Sequence, residues 1–182
     1  VAIAVVVGVP LGILSAVYRG RLLDNFSTFI ALWGVAIPNF WLGIILIYIF
    51  SIWLRWLPPS GYASIFEEPL ASLRLMLMPS IALSTGLTGV ILRQTRSSML
   101  EVLGEEYVRT ARSKGLSALA VLRKHALRNA LVPIVTVIGM QLGRLVGGTV
   151  TVELVFSIPG MGRLAADTIY FRDFPVLQGI ML

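Results

Sequence analysis

The chain has one histidine, His125, no cysteine and nine acidic residues. Bond-making chemistry needs such groups in company: a nucleophile beside a base, three or four nitrogen or sulfur ligands for zinc, or a G-x-x-x-x-G-K-[ST] run to cradle nucleotide phosphates. The sequence holds none of these patterns. A lone His125 reads as packing or as a protein contact, with no metal ligand beside it. What remains is ion pairing and hydrogen bonding by basic groups, concentrated in the run Glu106-Tyr107-Val108-Arg109-Thr110-Ala111-Arg112-Ser113-Lys114-Gly115. Here Arg109, Arg112 and Lys114 crowd against a glycine that permits a sharp bend. A second basic group, Arg144, stands alone in an uncharged stretch.

The elements that position these groups are set by composition. Of 182 residues, 57% are hydrophobic and 13% charged, about half the charge of an ordinary soluble domain. Most water-soluble enzymes and binding modules are thereby excluded. A helix needs about 20 apolar residues to cross the hydrocarbon layer, and the chain supplies such stretches at approximately 1–18, 27–54, 75–96 and 130–152. A fifth begins near Phe174 and is cut short at 182. The expectation is an all-α polytopic membrane protein with about four complete spans and the start of another. Both ends lie in apolar runs, which suggests an internal piece of a longer chain.

Charge orients the spans, because basic loops stay cytoplasmic. Between Arg93 and Arg128 lie Arg93, Arg96, Arg109, Arg112, Lys114, Arg123, Lys124 and Arg128 against Glu101, Glu105 and Glu106. Most of the net charge of +6 sits there, so the excess reports orientation and a docking loop, and nucleic acid is not implied. The turn Arg19-Gly20-Arg21 falls on the same side. Residues 55–74 and 153–173, less basic, fall outside, with Trp53, Trp56 and Tyr62 at the interface. This order places Val1 outside and calls for at least one earlier span.

Within the spans, Pro10, Pro38 and Pro79 each remove a backbone donor, tolerable where neighbouring helices or water satisfy the freed carbonyl. In the fourth span Gly139, Gly143 and Gly147 recur every four residues, a ridge for close helix contact; glycines facing lipid without a partner are the bland alternative. Gln141, Arg144, Gly148 and Thr151 share another face. A charge at mid-membrane costs at least about 2.5–3.5 kcal/mol, so Arg144 either borders a translocation path or is tied to carbonyls at a helix break. Glu153 either pairs with an external arginine such as Arg163 or is a solvated cap. Phe40, Trp41, Met76 and Met78 read as packing.

The cytoplasmic loop over 99–129 is too long for a bare connector. Leu100, Leu103, Tyr107 and Ala111, then Leu116, Leu119, Leu122 and Ala126, recur at helical spacing. Two short amphipathic helices around Lys114-Gly115 are expected, the second capped by Ser117 with Gly115 and Ser113 as competitors. Such a module suits either the anionic inner leaflet or a groove in a cytoplasmic protein.

The run from Glu106 to Leu116, followed by Arg123-Lys124-His125-Ala126-Leu127-Arg128-Asn129-Ala130-Leu131-Val132-Pro133, resembles the EAA loop of ABC importer permeases in the dipeptide, oligopeptide and nickel branch. Glu153-Leu154-Val155-Phe156-Ser157-Ile158-Pro159-Gly160-Met161-Gly162-Arg163, Ile37-Pro38-Asn39-Phe40-Trp41 and Leu57-Pro58-Pro59-Ser60-Gly61-Tyr62 resemble further segments of that branch, in order along the chain. Against the general importer pattern, Arg109 stands in place of the name-giving Glu, Thr110 in place of the first Ala, His125 in place of Ile and Arg128 in place of Pro, while Ala111 and Gly115 match.

The resemblance implies the type I importer transmembrane fold (MetI-like) in a prokaryotic inner membrane. It also implies a second permease subunit, two cytoplasmic ATP-binding subunits and an external substrate-binding protein, with membrane lipid around them and ATP held by a partner. Tyr107, Arg109, Thr110, Ala111, Lys114, Gly115 and His125 would then form the coupling loop, Ala111 and Gly115 allowing close approach and the cations supplying polar contacts. The carried solute would be a peptide or related small molecule. The alternative is a secondary transporter or channel subunit whose basic loop binds lipid or another cytoplasmic partner, although its spans lack the acidic residues that ion coupling uses. An intramembrane hydrolase lacks its nucleophile and base.

Overall fold

The computed structural model describes residues 1–146 and 149–181. Gly147, the third member of the expected glycine ridge, and Gly148, one member of the expected polar face, lie outside the described residues. Among the described residues every regular element is a helix. In chain order these are α1 (Ala2–Val17), α2 (Leu22–Ala36), α3 (Asn39–Ile47), which runs on as a π-helix (Tyr48–Trp53), α4 (Pro69–Gly104), α5 (Glu106–Ser113) and α6 (Ala118–Ala120). A second π-helix (Val121–Leu127) leads into α7 (Arg128–Val146), followed by α8 (Val150–Phe156), α9 (Met161–Phe171) and α10 (Phe174–Met181).

The chain divides into two compact units, one of residues 1–36 and 85–142 and the other of residues 37–84 and 143–182. In the first, α1 and α2 press onto the Thr85–Gly104 part of α4 through glycine. A Cβ on Gly12 would lie 2.6 Å from Thr95 Cβ and 2.8 Å from the Leu92 carbonyl oxygen, and one on Gly8 would lie 3.1 Å from the Thr88 oxygen. The contact with α2 is reciprocal. Gly34 faces the Thr85 carbonyl, 2.7 Å from where its Cβ would be, and Gly89 faces the carbonyl of Ala31 and the side chain of Val35. Lipid chains are as apolar as leucine, so helices in a membrane associate through such close backbone approach and through polar contacts.

The polar contact closes the same corner. Asp24, in the first turn of α2, is 4% exposed and accepts from Arg96 of α4 at both oxygens, Nε to Oδ1 at 2.7 Å and Nη2 to Oδ2 at 2.9 Å. Ser15 of α1 donates to Oδ1 at 2.5 Å, and the Gly20 amide donates to Oδ2 at 2.9 Å. One carboxylate thus ties α1, the turn, α2 and α4, and the fork geometry of the guanidinium suits it. Farther along, Ala16, Met99, Ala126, Ala130 and Ile134 form the apolar core.

In the second unit Leu46, Met78, Ala82, Val152 and Phe156 are the core, with Gly43 so close to Phe156 that a Cβ would sit 2.9 Å from the ring. Met78 is fully buried as packing, while Phe40 and Trp41 are exposed. Ser51 donates to the Leu57 carbonyl at 2.7 Å, and the Gly61 amide donates to the Phe156 carbonyl at 3.0 Å, fastening residues 57–61 to the end of α8.

Pro69–Gly104 and Ala118–Leu145 are each long and apolar enough to cross a membrane, whereas α1, equally apolar, has 16 residues. The stretch expected as one span over 27–54 is two helices. Pro38 takes an extended backbone (φ −63°, ψ 132°) and α3 restarts at Asn39, because proline lacks the amide donor and keeps its predecessor out of helical geometry. The helix expected over 75–96 runs past both limits. At 36 residues α4 is about 54 Å long against a hydrocarbon layer of about 30 Å, so it projects well beyond the membrane. The helix expected over 130–152 ends at Val146, and a separate helix starts at Val150. The apolar stretch expected to begin near Phe174 does so, as α10.

Two substitutions test the close approach. Gly89→Leu forces backbone apart and is expected to destabilise by at least about 1–3 kcal/mol, whereas Gly139→Ala, with nothing within 4 Å of its Cβ, leaves the fold of this chain unchanged; thermal unfolding of the purified protein in detergent reads both. The ion pair gives an asymmetric expectation. Arg96→Met strands a carboxylate with 5% side-chain exposure and costs about 3–5 kcal/mol. Asp24→Asn costs less, because the Arg96 side chain keeps 31% exposure and turns to water. Equal losses in the same unfolding assay would contradict the geometry.

Candidate coupling surface

The basic run forms α5, whose ends are set by local backbone chemistry. Glu105 is extended at the N-cap and Glu106 lies in the first turn, where a negative charge meets the positive end of the helix dipole; Arg112 lies in the last turn, where a positive charge meets the negative end. Gly115 has φ +78°. Its amide donates to the Arg112 carbonyl at 2.9 Å, and the Leu116 amide donates to the Ala111 carbonyl at 3.4 Å, the Schellman pattern that a left-handed residue closes. Nothing lies within 4 Å of a Cβ on Gly115. Its role within this chain is therefore conformational.

Beyond the bend Ser117 caps the next helix, its Oγ accepting from the Ala120 amide at 3.3 Å. That helix is not the second free amphipathic helix expected. α6, the π-helix and α7 succeed one another directly, so Ala118–Leu145 is one apolar helix of 28 residues. Of the first expected helix, Leu100 and Leu103 likewise belong to the projecting end of α4, while Tyr107 and Ala111 lie on α5. Only α5 and the bend stand free between two long helices.

The module carries its own core of Val108, Ala111 and Val121. Val102 and Leu103 at the end of α4 pack against both this core and the cluster around Met99 and Ala130. Ala111 is 5% exposed, so this residue faces the module's interior, and the expected outward close approach at Ala111 is corrected. A polar strut adds to the packing: Asn129 at the base of α7 donates to Tyr107 Oη at 2.7 Å and to the His125 carbonyl at 3.2 Å. His125 itself is half-buried.

Tyr107, Arg109, Thr110, Arg112, Lys114 and Gly115 are exposed together with Leu116 and Leu119. Arg109 pairs with Glu106 at 3.5 Å, and Thr110 and Ser113 turn their hydroxyls back to the Glu106 and Arg109 carbonyls. An exposed pair of this kind contributes little to stability, which leaves Arg109 free to exchange partners. The surface is a compact, largely cationic knob with two exposed leucines, suited to a groove that offers acidic and apolar groups.

The fourth-span residues are not brought together in the same way. Gln141 is buried and Arg144 exposed on α7, while Thr151 is exposed on α8, a different helix. The single face expected for Gln141, Arg144 and Thr151 requires a continuous helix, whereas Thr149 takes a non-helical backbone (φ −120°, ψ 69°) and α8 starts anew at Val150. Gly139 and Gly143 have open space where a Cβ would stand, whereas in the first unit Gly8, Gly12, Gly34 and Gly89 make the close helix contacts. Of the two expectations for Glu153, the structure shows the cap, half-buried where a solvated one was expected, in place of the arginine ion pair. Its Oε2 accepts from the Arg163 amide at 2.8 Å and its Oε1 from the Thr149 amide at 3.2 Å, so it caps the starts of α8 and α9, while the Arg163 guanidinium lies 3.8 Å from Asp167. Gly160 is the residue against that carboxyl group, leaving no room for a side chain.

Sequence reasoning passed over Asp24 with Arg96, and Asn129 with Tyr107. The only acidic group on a basic turn was the available sign of the first; the second pairing, across 22 residues, has no local signature.

Comparison with known proteins places these features in company. Residues 8–182 match the family model described as binding-protein-dependent transport system inner membrane component. The chain is 44% identical over all of its length to a putative peptide transport system permease protein of Brucella abortus, covering 58% of that protein. It is also 44% identical to the dipeptide transport system permease protein of Escherichia coli K12, over 98% of this chain and 60% of the relative. A glutathione transport system permease protein of Escherichia coli O1:K1 is 44% identical over 98% of this chain and 56% of its own length. The chain thus spans somewhat over half the length of the relatives it matches.

Ala111→Leu is expected to overpack the small core of the module by about 1–3 kcal/mol. Hydrogen exchange of the membrane-embedded protein should then quicken across 106–117 while α1 and α2 keep their protection. Protection unchanged at α5 would mean that Ala111 does not face that core.

Proposed function

The chain belongs to the family of inner membrane components of binding-protein-dependent transport systems, and from that membership we propose that it is part of a permease subunit of an ATP-driven importer. The solute is a peptide or a related small molecule, as the names of the relatives indicate for those proteins. A second permease subunit completes the path, two cytoplasmic subunits bind and hydrolyse ATP, and an external binding protein delivers the solute. The family is a transport component, and ATP chemistry belongs to the partners.

The observation that carries the coupling role is the α5 knob, whose own core is continuous with both α4 and the helix that becomes α7. A force on α5 reaches two long helices through that shared core. Closure of the ATP-binding pair on nucleotide would drag the knob, and the permease would move with it as a rigid body. The work comes from the difference in binding of Arg109, Thr110, Arg112 and Lys114 to the partner in its two states. Arg144, exposed near the end of α7, would border the path in the complete permease, and Gly139 and Gly143 would lie against a helix outside this chain. The orientation is set by charge, with α5 cytoplasmic.

Purification of the full-length permease is expected to bring down an ATPase whose turnover rises with a loaded external binding protein, and the ligand on that protein names the solute. Gly115→Val puts a β-branched residue at φ +78°, a strain of at least about 1–2 kcal/mol. It should cut solute uptake roughly tenfold while the permease still inserts in the membrane. Normal uptake in that variant would remove the bend from the coupling path.

A further inference from the structure

A cavity of about 670 Å³ opens between α2 and α4, one helical turn past Asp24. Thr28 and Leu32 line it from α2, and Arg93, Gln94, Arg96 and Ser97 line it from α4. The two arginines differ. Arg96 is neutralised by Asp24, whereas Arg93 is exposed and has no ion-pair partner among the described residues. Gln94 donates to Ser98 at 3.0 Å. The cavity therefore presents one uncompensated guanidinium beside two hydroxyls, with Leu32, 54% exposed, as an apolar edge.

The depth of this arrangement is set by the sequence of α4. Leu75 to Leu92 carries no charge, and these residues span about 27 Å of helix, close to the thickness of the hydrocarbon layer. Arg93 is the first charge beyond that stretch, so its guanidinium lies at the level of the lipid headgroups. It is also on the side of the Arg19-Gly20-Arg21 turn, where anionic lipid is concentrated and where each cation adds affinity for it.

We propose that this cavity binds one anionic phospholipid of the cytoplasmic leaflet. The headgroup phosphate sits on the Arg93 guanidinium with Thr28 and Ser97 as hydroxyl donors, and the acyl chain lies along Leu32. A guanidinium fork matches the phosphate oxygens. The choice of leaflet rests on the orientation proposed above; binding itself is measured without solute or ATP and stands or falls independently of import.

The full transporter with its partner subunits, in nanodiscs of mixed phosphatidylglycerol and phosphatidylcholine, is released into a native mass spectrometer and its retained lipids are counted. The wild type should keep phosphatidylglycerol in preference to phosphatidylcholine, and excess inorganic phosphate should not displace it. Arg93→Gln should weaken that retention about fivefold, while Arg93→Lys preserves most of it. Equal retention in the wild type and Arg93→Gln would overturn the proposal. So would displacement by phosphate, which marks a soluble-anion site, or loss of lipid only together with a partner subunit, which marks a subunit contact.

Discussion

Helices inside a membrane gain nothing by hiding apolar surface from apolar lipid, so the first unit depends on how near α1 and α2 come to the backbone of α4. Gly8, Gly12, Gly34 and Gly89 set that distance, and the Asp24 carboxylate, with four donors around it, fixes the rotation and depth of the three helices at one end. The two devices are complementary. Glycine contacts let helices slide along one another, and a buried bidentate ion pair does not. Once α4 is held in this way, its projecting end becomes a fixed post for Val102 and Leu103, and through them for α5.

The second unit solves a related problem with different means. Its helices are short and its connections irregular, with left-handed backbone at Arg55, Ser157 and Arg172. There Glu153 supplies what a longer helix would: it meets the positive ends of α8 and α9 with one negative group, and Gly160 yields the space. The Ser157-to-Arg163 run, recognisable as a sequence pattern, is in physical terms a route from the end of α8 to the start of α9 around a half-buried carboxylate.

Periodicity and charge made the helical class, the apolar stretches, the Gly115 bend and the Ser117 cap legible, because each depends on residues a few positions apart. The interruption at Pro38 was visible as a proline, yet an uncharged run on both sides masked the change from one helix to two. The continuity from α6 through α7 was hidden by composition: Arg123, Lys124 and Arg128 read as loop, but on a helix they reach solvent by their own length. Helix partners stayed out of reach. Gly139 and Gly143 are four residues apart and contact nothing here, while Gly8 and Gly12, with the same spacing, touch the backbone of α4; spacing describes one helix, and contact requires two.

The inward position of Ala111 divides the residues of the coupling role proposed above into two sets. A residue packed on Val108 and Val121 is constrained by the folding of the knob, whichever protein the knob meets. Partner identity has to be written in the side chains that stand outside, Arg109, Thr110, Arg112, Lys114 and Leu116. A designer wishing to give this knob a different partner would accordingly rewrite that outer set as a block and leave the inner three untouched. The knob then serves as an exchangeable plug on an unaltered shaft.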